Sequence, residues 1–125
     1  MPNDAISALR KATKGLLYMS ETDAPFEPFV WDAGEGPLDA EWVLRLGKHE
    51  PGTRVEELGL DEFLGAYAEG DDPDAGKYQN LLKVIKKNLD DVRVFKVGRV
   101  NLDVYIVGRT KQGDWVGLHT KAVET

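Results

Sequence analysis

The stretch VRVFKVGRVNLDVYIVGRTKQGDWVGLHTKAVET, residues 92–125, holds three strand-like segments, Val92–Val97, Asp103–Val107 and Asp114–Leu118. They are divided by turns at GRVN and TKQGD, and segments so close in sequence pair as an antiparallel meander. The middle one, DVYIVG, is apolar at successive positions rather than at alternate ones, and a strand of that kind has both faces covered. Helices then belong on both sides of the sheet. This predicts the α/β (α+β) class, as a three-layer α/β/α sandwich around a small, mainly antiparallel sheet of about four strands. The stretch ends on Glu124 and Thr125. If the end is ordered, a carboxylate, a hydroxyl and a glutamate lie within a few ångströms of one another; if it is unused, it frays after Val123.

Upstream, Asn3 or Asp4 caps a first helix in which Ile6, Leu9, Thr13, Leu16 and Leu17 form one apolar stripe, weakened in its last turn by Gly15. PFEPFVW, residues 25–31, supplies the remaining strand through Phe26, Phe29, Val30 and Trp31, and Pro28 points to an edge position or a bulge. LDAEWVLRLG fits a helical turn. VEELGLDEFLGAYAE reads as a helix from about Val55, interrupted at Gly59, with Leu60, Phe63, Leu64 and Tyr67 buried. EGDDPDAG is loop. From Lys77, Tyr78, Leu81, Leu82, Ile85 and Leu89 recur at helical spacing while Lys83, Lys86 and Lys87 take the other face. No repeat or composition break divides residues 1–125, so one domain is expected.

A chain of 125 residues buries roughly two-thirds of its unfolded surface without a covalent staple. It has no cysteine, which excludes disulfides, thiolate metal sites and thiol nucleophiles and suits a reducing compartment. The segment MPNDAISALRKATKG starts polar and carries its bases after its first apolar residues, the reverse of a secretory signal, and no apolar run reaches spanning length. The expectation is a cytoplasmic protein with no membrane contact. The net charge of −6 is unevenly spread: residues 20–75 hold sixteen of the twenty-two acids and three of the sixteen bases, and residues 76–125 hold ten bases and five acids. Gathered on one surface, those acids repel nucleic acid and attract a basic partner.

Candidates for chemistry are few. His49, between Lys48 and Glu50 in a loop, reads as solvent-exposed, and His119 as a half-buried strand histidine; neither has HxxxH or HExxH spacing. The thirteen glycines spell no nucleotide-binding loop and read as turn residues. DDPDAG lacks the glutamate that a calcium loop needs at its twelfth position, where Leu82 stands. Glu21, Asp23 and Glu27 could act as a carboxylate acid and base pair, but they ride on a short connector rich in turn-forming and capping side chains. Trp115 and Tyr105 are expected to fill the faces of the sheet. No cofactor is implied.

LLYMSETDAPFEPFVW at 16–31 and LDVYIVGRTKQGDWVGLHTKAVET at 102–125 together resemble the nuclease A inhibitor family. Its members pair a Met-Ser-Glu-Ser/Thr-Asp-x-Pro-Phe-Glu block after the first helix with a terminal block of Asp-x-Tyr-x-x-Gly, Gly-Leu-x-Thr and a Val-Glu-Thr end. The resemblance implies a sandwich like that of pathogenesis-related protein 1. It also implies a tight, non-enzymatic inhibitor of a basic, Mg-dependent, sugar-non-specific ββα-metal nuclease, a monomer forming a 1:1 complex that blocks the active site. Carried over, Thr125 reaches the partner's catalytic ion and Glu21 supports it, both as hard oxygen donors able to replace the ion's waters. Asp23, Asp72, Asp74, Tyr78 and Glu124 complete the expected contact surface.

This sequence departs from the family in the middle, where GDDPDAGKYQ offers Asp72 or Asp74 as the acid but no tryptophan, only Tyr78. That leaves the aromatic part of the contact and the identity of the target nuclease open. A small regulatory module of the same fold with another ligand, and a carboxylate-based hydrolase, stand as the alternatives.

Overall fold

The meander expected from residues 92–125 forms the centre of the sheet. The structure, a computed structural model, describes residues 4–19, 23–31, 40–50, 52–69, 75–111 and 113–123. In chain order its elements are α1 (Asp4–Thr13), β1 (Leu17–Met19), β2 (Asp23–Pro25), β3 (Glu27–Trp31), α2 (Ala40–Leu46), β4 (Val55–Leu58), α3 (Leu60–Glu69), α4 (Ala75–Asn88), β5 (Asp90–Val97), β6 (Asn101–Arg109) and β7 (Trp115–Val123). A five-stranded sheet runs β3-β7-β6-β5-β4, each neighbouring pair antiparallel, and β1 and β2 form a separate two-stranded ribbon. Among the described residues no helix is long and apolar enough to cross a membrane.

Strand β6 is continuously buried from Val104 to Gly108, and its alternate side chains enter two different cores. Val104 and Ile106 join Val94, Val116 and Leu118 against Leu9 of α1, Phe63 and Leu64 of α3, and Leu81 and Ile85 of α4. Tyr105 and Val107 join Phe95, Val97 and Trp115 against Val43 and Leu44 of α2. Helices thus meet both faces of the sheet, as the apolar run DVYIVG requires. The helix boundaries follow local chemistry. Gly59 N–H donates to the Glu62 carboxylate at 3.3 Å, a reach-back that caps α3. Gly15, at φ 76, takes the left-handed conformation that ends α1, with Leu16 N–H donating to the Thr13 carbonyl at 3.0 Å.

The structure corrects four expectations. The main sheet has five strands rather than about four, because Val55–Leu58 is strand β4, paired with Val94–Val97 of β5, and not the start of a helix. Four residues, VEEL, are too few for helical and strand periods to be told apart, so the open edge of β5 decides. Leu16 and Leu17 both lie past the end of α1: Leu16 stays buried, whereas Leu17 starts β1 and is 41% exposed. Helix α4 begins at Ala75, two residues before Lys77. Nor are the glycines all turn residues: Gly65 and Gly76 lie in helices, and Gly108 and Gly117 in strands. The edge strand foreseen at PFEPFVW is β3, whose Pro28 sits opposite Leu118 at the margin of the sheet.

Gly117 is required by close approach. It pairs with Phe29 on one side and Val107 on the other, and a Cβ there would collide with the Ile106 carbonyl and come within 2.9 Å of Phe29 Cζ. Gly65, inside α3, has no heavy atom within 4 Å of a Cβ position. Gly117→Ala is therefore expected to destabilise by about 3 kcal/mol and lower the melting temperature by about 10 °C. Gly65→Ala should raise stability by roughly 0.8 kcal/mol. Thermal melts of the two variants check the pair, and equal effects would contradict the packing around Gly117.

Candidate functional site

The two sequence blocks that carry the family resemblance, at 16–31 and 102–125, come together around β7. In the β1–β2 ribbon, Leu17 pairs with Pro25, Tyr18 with Ala24 and Met19 with Asp23. The ribbon is fastened to the helices: Tyr18 is buried, stacks on Phe63 with ring centroids 5.1 Å apart and meets the edge of Phe26 at 6.1 Å. The Tyr78 hydroxyl donates to the Leu17 carbonyl at 2.6 Å. The ribbon is also fastened to the terminal strand, since the buried Thr120 hydroxyl donates to the Ala24 carbonyl at 3.4 Å. One residue away on β7, His119 sits opposite Glu27 of β3. Strand alternation thus sends Thr120 toward the ribbon and His119 toward the α2 face.

The residues expected to contact a partner divide into three groups. Glu21, Asp72, Asp74, Glu124 and Thr125 lie outside the described residues. Asp23 has a described backbone as the first residue of β2, and its side chain lies outside the description. Tyr78 is a core residue of α4, 2% exposed, with its hydroxyl engaged by Leu17. Its ring fills the interior between α4 and the ribbon, so it is not a surface aromatic. Tyr105 and Trp115 are buried in the α2-side core, as their strand positions imply.

His49 differs from its expected exposure. Its side chain is only 16% exposed, and Nε2 lies 2.8 Å from the Tyr105 hydroxyl and 3.8 Å from Asp103 Oδ2. His119 Nε2 lies 2.8 Å from Asp103 Oδ1, and its ring stacks on Tyr105 with centroids 5.0 Å apart. Both histidines of the chain therefore meet at Asp103 and Tyr105. Asp103 was legible in principle: it stands two residues before Tyr105, on the same strand face, diagonally across from His119. The part played by His49 depends on a loop contact that no local spacing signals. Among the described residues no group of three or more His, Cys, Asp and Glu side chains is arranged to hold a metal ion. His49 also borders an open cavity of about 490 Å³ shared with Glu41, Leu44, Arg45 and Gly52.

Burial and then the negative charge of Asp103 push the Tyr105 phenol well above the ordinary tyrosine range. That direction suits a permanent hydrogen-bond donor and not a group exchanging protons near neutrality. Because the unfolded chain releases this proton first, the contribution to stability is complete below about pH 10 and is lost as pH rises beyond it. Chemical denaturation between pH 8 and 11.5 should show wild-type stability falling by up to about 1.4 kcal/mol per pH unit more steeply than that of Tyr105→Phe. Parallel curves would contradict the assignment.

A family model described as nuclease A inhibitor-like protein matches residues 3–125. A comparison with curated proteins gives no match. The matched span takes in both sequence blocks, the ribbon and the whole five-stranded sheet, so the chain belongs to the nuclease A inhibitor-like protein family.

Proposed function

We propose that the protein inhibits a sugar-non-specific ββα-metal nuclease, itself without turnover, by occluding the nuclease active site in a 1:1 complex. On this reading Thr125 presents its oxygens to the partner's Mg ion, with Glu21 beside it. Asp23, Asp72, Asp74 and Glu124 add acidic contacts to the basic rim that such a nuclease needs for holding phosphates. The cytoplasm is the proposed site of action. The proposal includes the three-layer, pathogenesis-related-protein-1-like arrangement of the family, supported by the two cores on either side of β6.

One observation carries the reading. The Met-Ser-Glu block and the terminal block are far apart in sequence, yet Thr120 of β7 and Ala24 of β2 are joined by a hydrogen bond. A ligating terminus and a supporting acid must approach one metal ion together, so the strands that bear them must be fixed to each other. The family match over residues 3–125 is the second support.

Deleting Thr125, or extending the chain past it, should abolish or greatly weaken inhibition and leave the melting temperature unchanged, because a following chain would clash in a narrow cleft. Titrating a ββα-metal nuclease with wild type, the Thr125 deletion and a C-terminally extended form measures this; equal potency in all three would remove Thr125 from the mechanism. Glu21→Lys should weaken binding by roughly 3 kcal/mol, more than a hundredfold, by opposing like charges. Its folding stability should stay within about 0.5 kcal/mol of wild type. A markedly lower melting temperature for that variant would make Glu21 a structural cap instead.

A further inference from the structure

The chain goes to some conformational cost to seat His49. After α2 the backbone turns with Lys48 at φ 61, a left-handed conformation that costs a non-glycine residue about 1 kcal/mol or more. Gly47 approaches so closely that a Cβ there would lie 2.7 Å from the Tyr105 hydroxyl and 2.8 Å from His49 Cδ2. The turn is closed by His49 N–H donating to the Leu44 carbonyl at 2.8 Å. Strain of this kind persists where the surroundings over-determine it. What it delivers is the second imidazole at Asp103.

The cluster also sits at a sensitive place on the sheet. Asp103 lies opposite Lys121 and Tyr105 opposite His119, so the His119–Asp103 hydrogen bond is a diagonal tie across the last rungs of the β6–β7 ladder, which ends at Asn101 and Val123. On the other face of β7 the Thr120 hydroxyl is tied to Ala24. The strand is thus gripped from both sides just before its end, and Val123 lies roughly 13 Å beyond His119 along the strand.

Proton exchange changes the grip. His49 Nε2 and the Tyr105 hydroxyl share a hydrogen bond of 2.8 Å, in which the neutral imidazole accepts when its own proton sits on Nδ1. Once His49 is protonated, Nε2 becomes a donor and can no longer accept from Tyr105. The Asp103 carboxylate, 3.8 Å away, is then its nearest anionic acceptor. The carboxylate is held by one imidazole in the first state and by two in the second. Other charged groups around it are Glu27 on β3 opposite His119, Lys121 opposite Asp103, and Glu41 and Arg45 beside His49. Glu57 and Arg93, 3.8 Å apart, lie farther along the same face of the sheet. Glu27, Lys121, Glu41 and Arg45 are exposed and are screened by solvent.

We propose that Asp103, with His49 and His119, is the positioning group for the inhibitory contact: it sets the lie of the last rungs of β7, residues 121–123, and imidazole protonation resets it. The functional consequence rests on the inhibitor reading above, whereas the effect on β7 does not. In the free protein, the backbone amide resonances of Lys121, Ala122 and Val123 should shift in step with the imidazole resonances over a pH range that spans imidazole protonation. In Asp103→Asn, those amides should no longer follow the imidazoles, with the melting temperature little changed. Against a nuclease active throughout that range, wild-type affinity should vary about tenfold with pH, the size of one charge-assisted hydrogen bond gained or lost, and that of Asp103→Asn should stay flat. If Asp103→Asn fails to fold, His119→Gln makes the same test. Amides at 121–123 that ignore pH, or that follow it equally in the variant, overturn the proposal. Amides that follow as expected in a protein that inhibits no nuclease leave the positioning intact and defeat the inhibitor reading.

Discussion

Strand β6 has no solvent face between Val104 and Gly108, and the fold is arranged around keeping water from both of its sides. One side requires a large apolar cover, met by α1, α3 and α4 through Leu9, Phe63, Leu64, Leu81 and Ile85. The other is closed by α2, the shortest of the described helices, through Val43 and Leu44, with Phe29, Trp31 and Trp42 packed around that core. Burying a single large apolar side chain is worth about 1.5–3 kcal/mol, so a strand that contributes to both cores ties together the helices packed on its two faces. The close pairing of β6 with β7 follows, down to Gly117, where Phe29 and the Ile106 carbonyl occupy the space a side chain would need.

Much of this arrangement is written locally. DVYIVG announces two covered faces; Pro28 announces an edge; Tyr78, Leu81 and Ile85 announce the buried stripe of α4, and all three are fully buried in it. What stays hidden depends on partners distant in sequence. VEEL becomes a strand because β5 offers an unpaired edge, a fact about residues 94–97 and not about residues 55–58. His49 is drawn inward because Tyr105 and Asp103 lie beneath a tightly bent turn, and a residue between Lys48 and Glu50 carries no local mark of that. Tyr78 shows the opposite hazard: its helical spacing already marked it as a core position, and reading it as a contact aromatic set that spacing aside.

The candidate site follows the same division. The Met-Ser-Glu block and the terminal block are legible as motifs, and their meeting at Ala24 and Thr120 is what folding adds. On the proposed reading, the strand that bears the inhibitory contact binds well only if little entropy is lost in ordering it. Here β7 is paired with β6 through Val123, paired with β3 through His119, tied to β2 by Thr120 and tied across β6 by His119 and Asp103. The polar cluster at Asp103 is part of the support for that strand, with His119 held across the ladder at 2.8 Å from Asp103.

On the proposed reading, the surface at which β2 meets the end of β7 engages the target nuclease. Hydrogen exchange of the protein, free and in excess ββα-metal nuclease, tests it most directly, since amide protection reports where local opening is suppressed. Exchange should slow in residues 17–25 and 119–125 and stay unchanged on the outward face of α4. Protection confined to α4, or to the cavity beside α2 and His49, would contradict it.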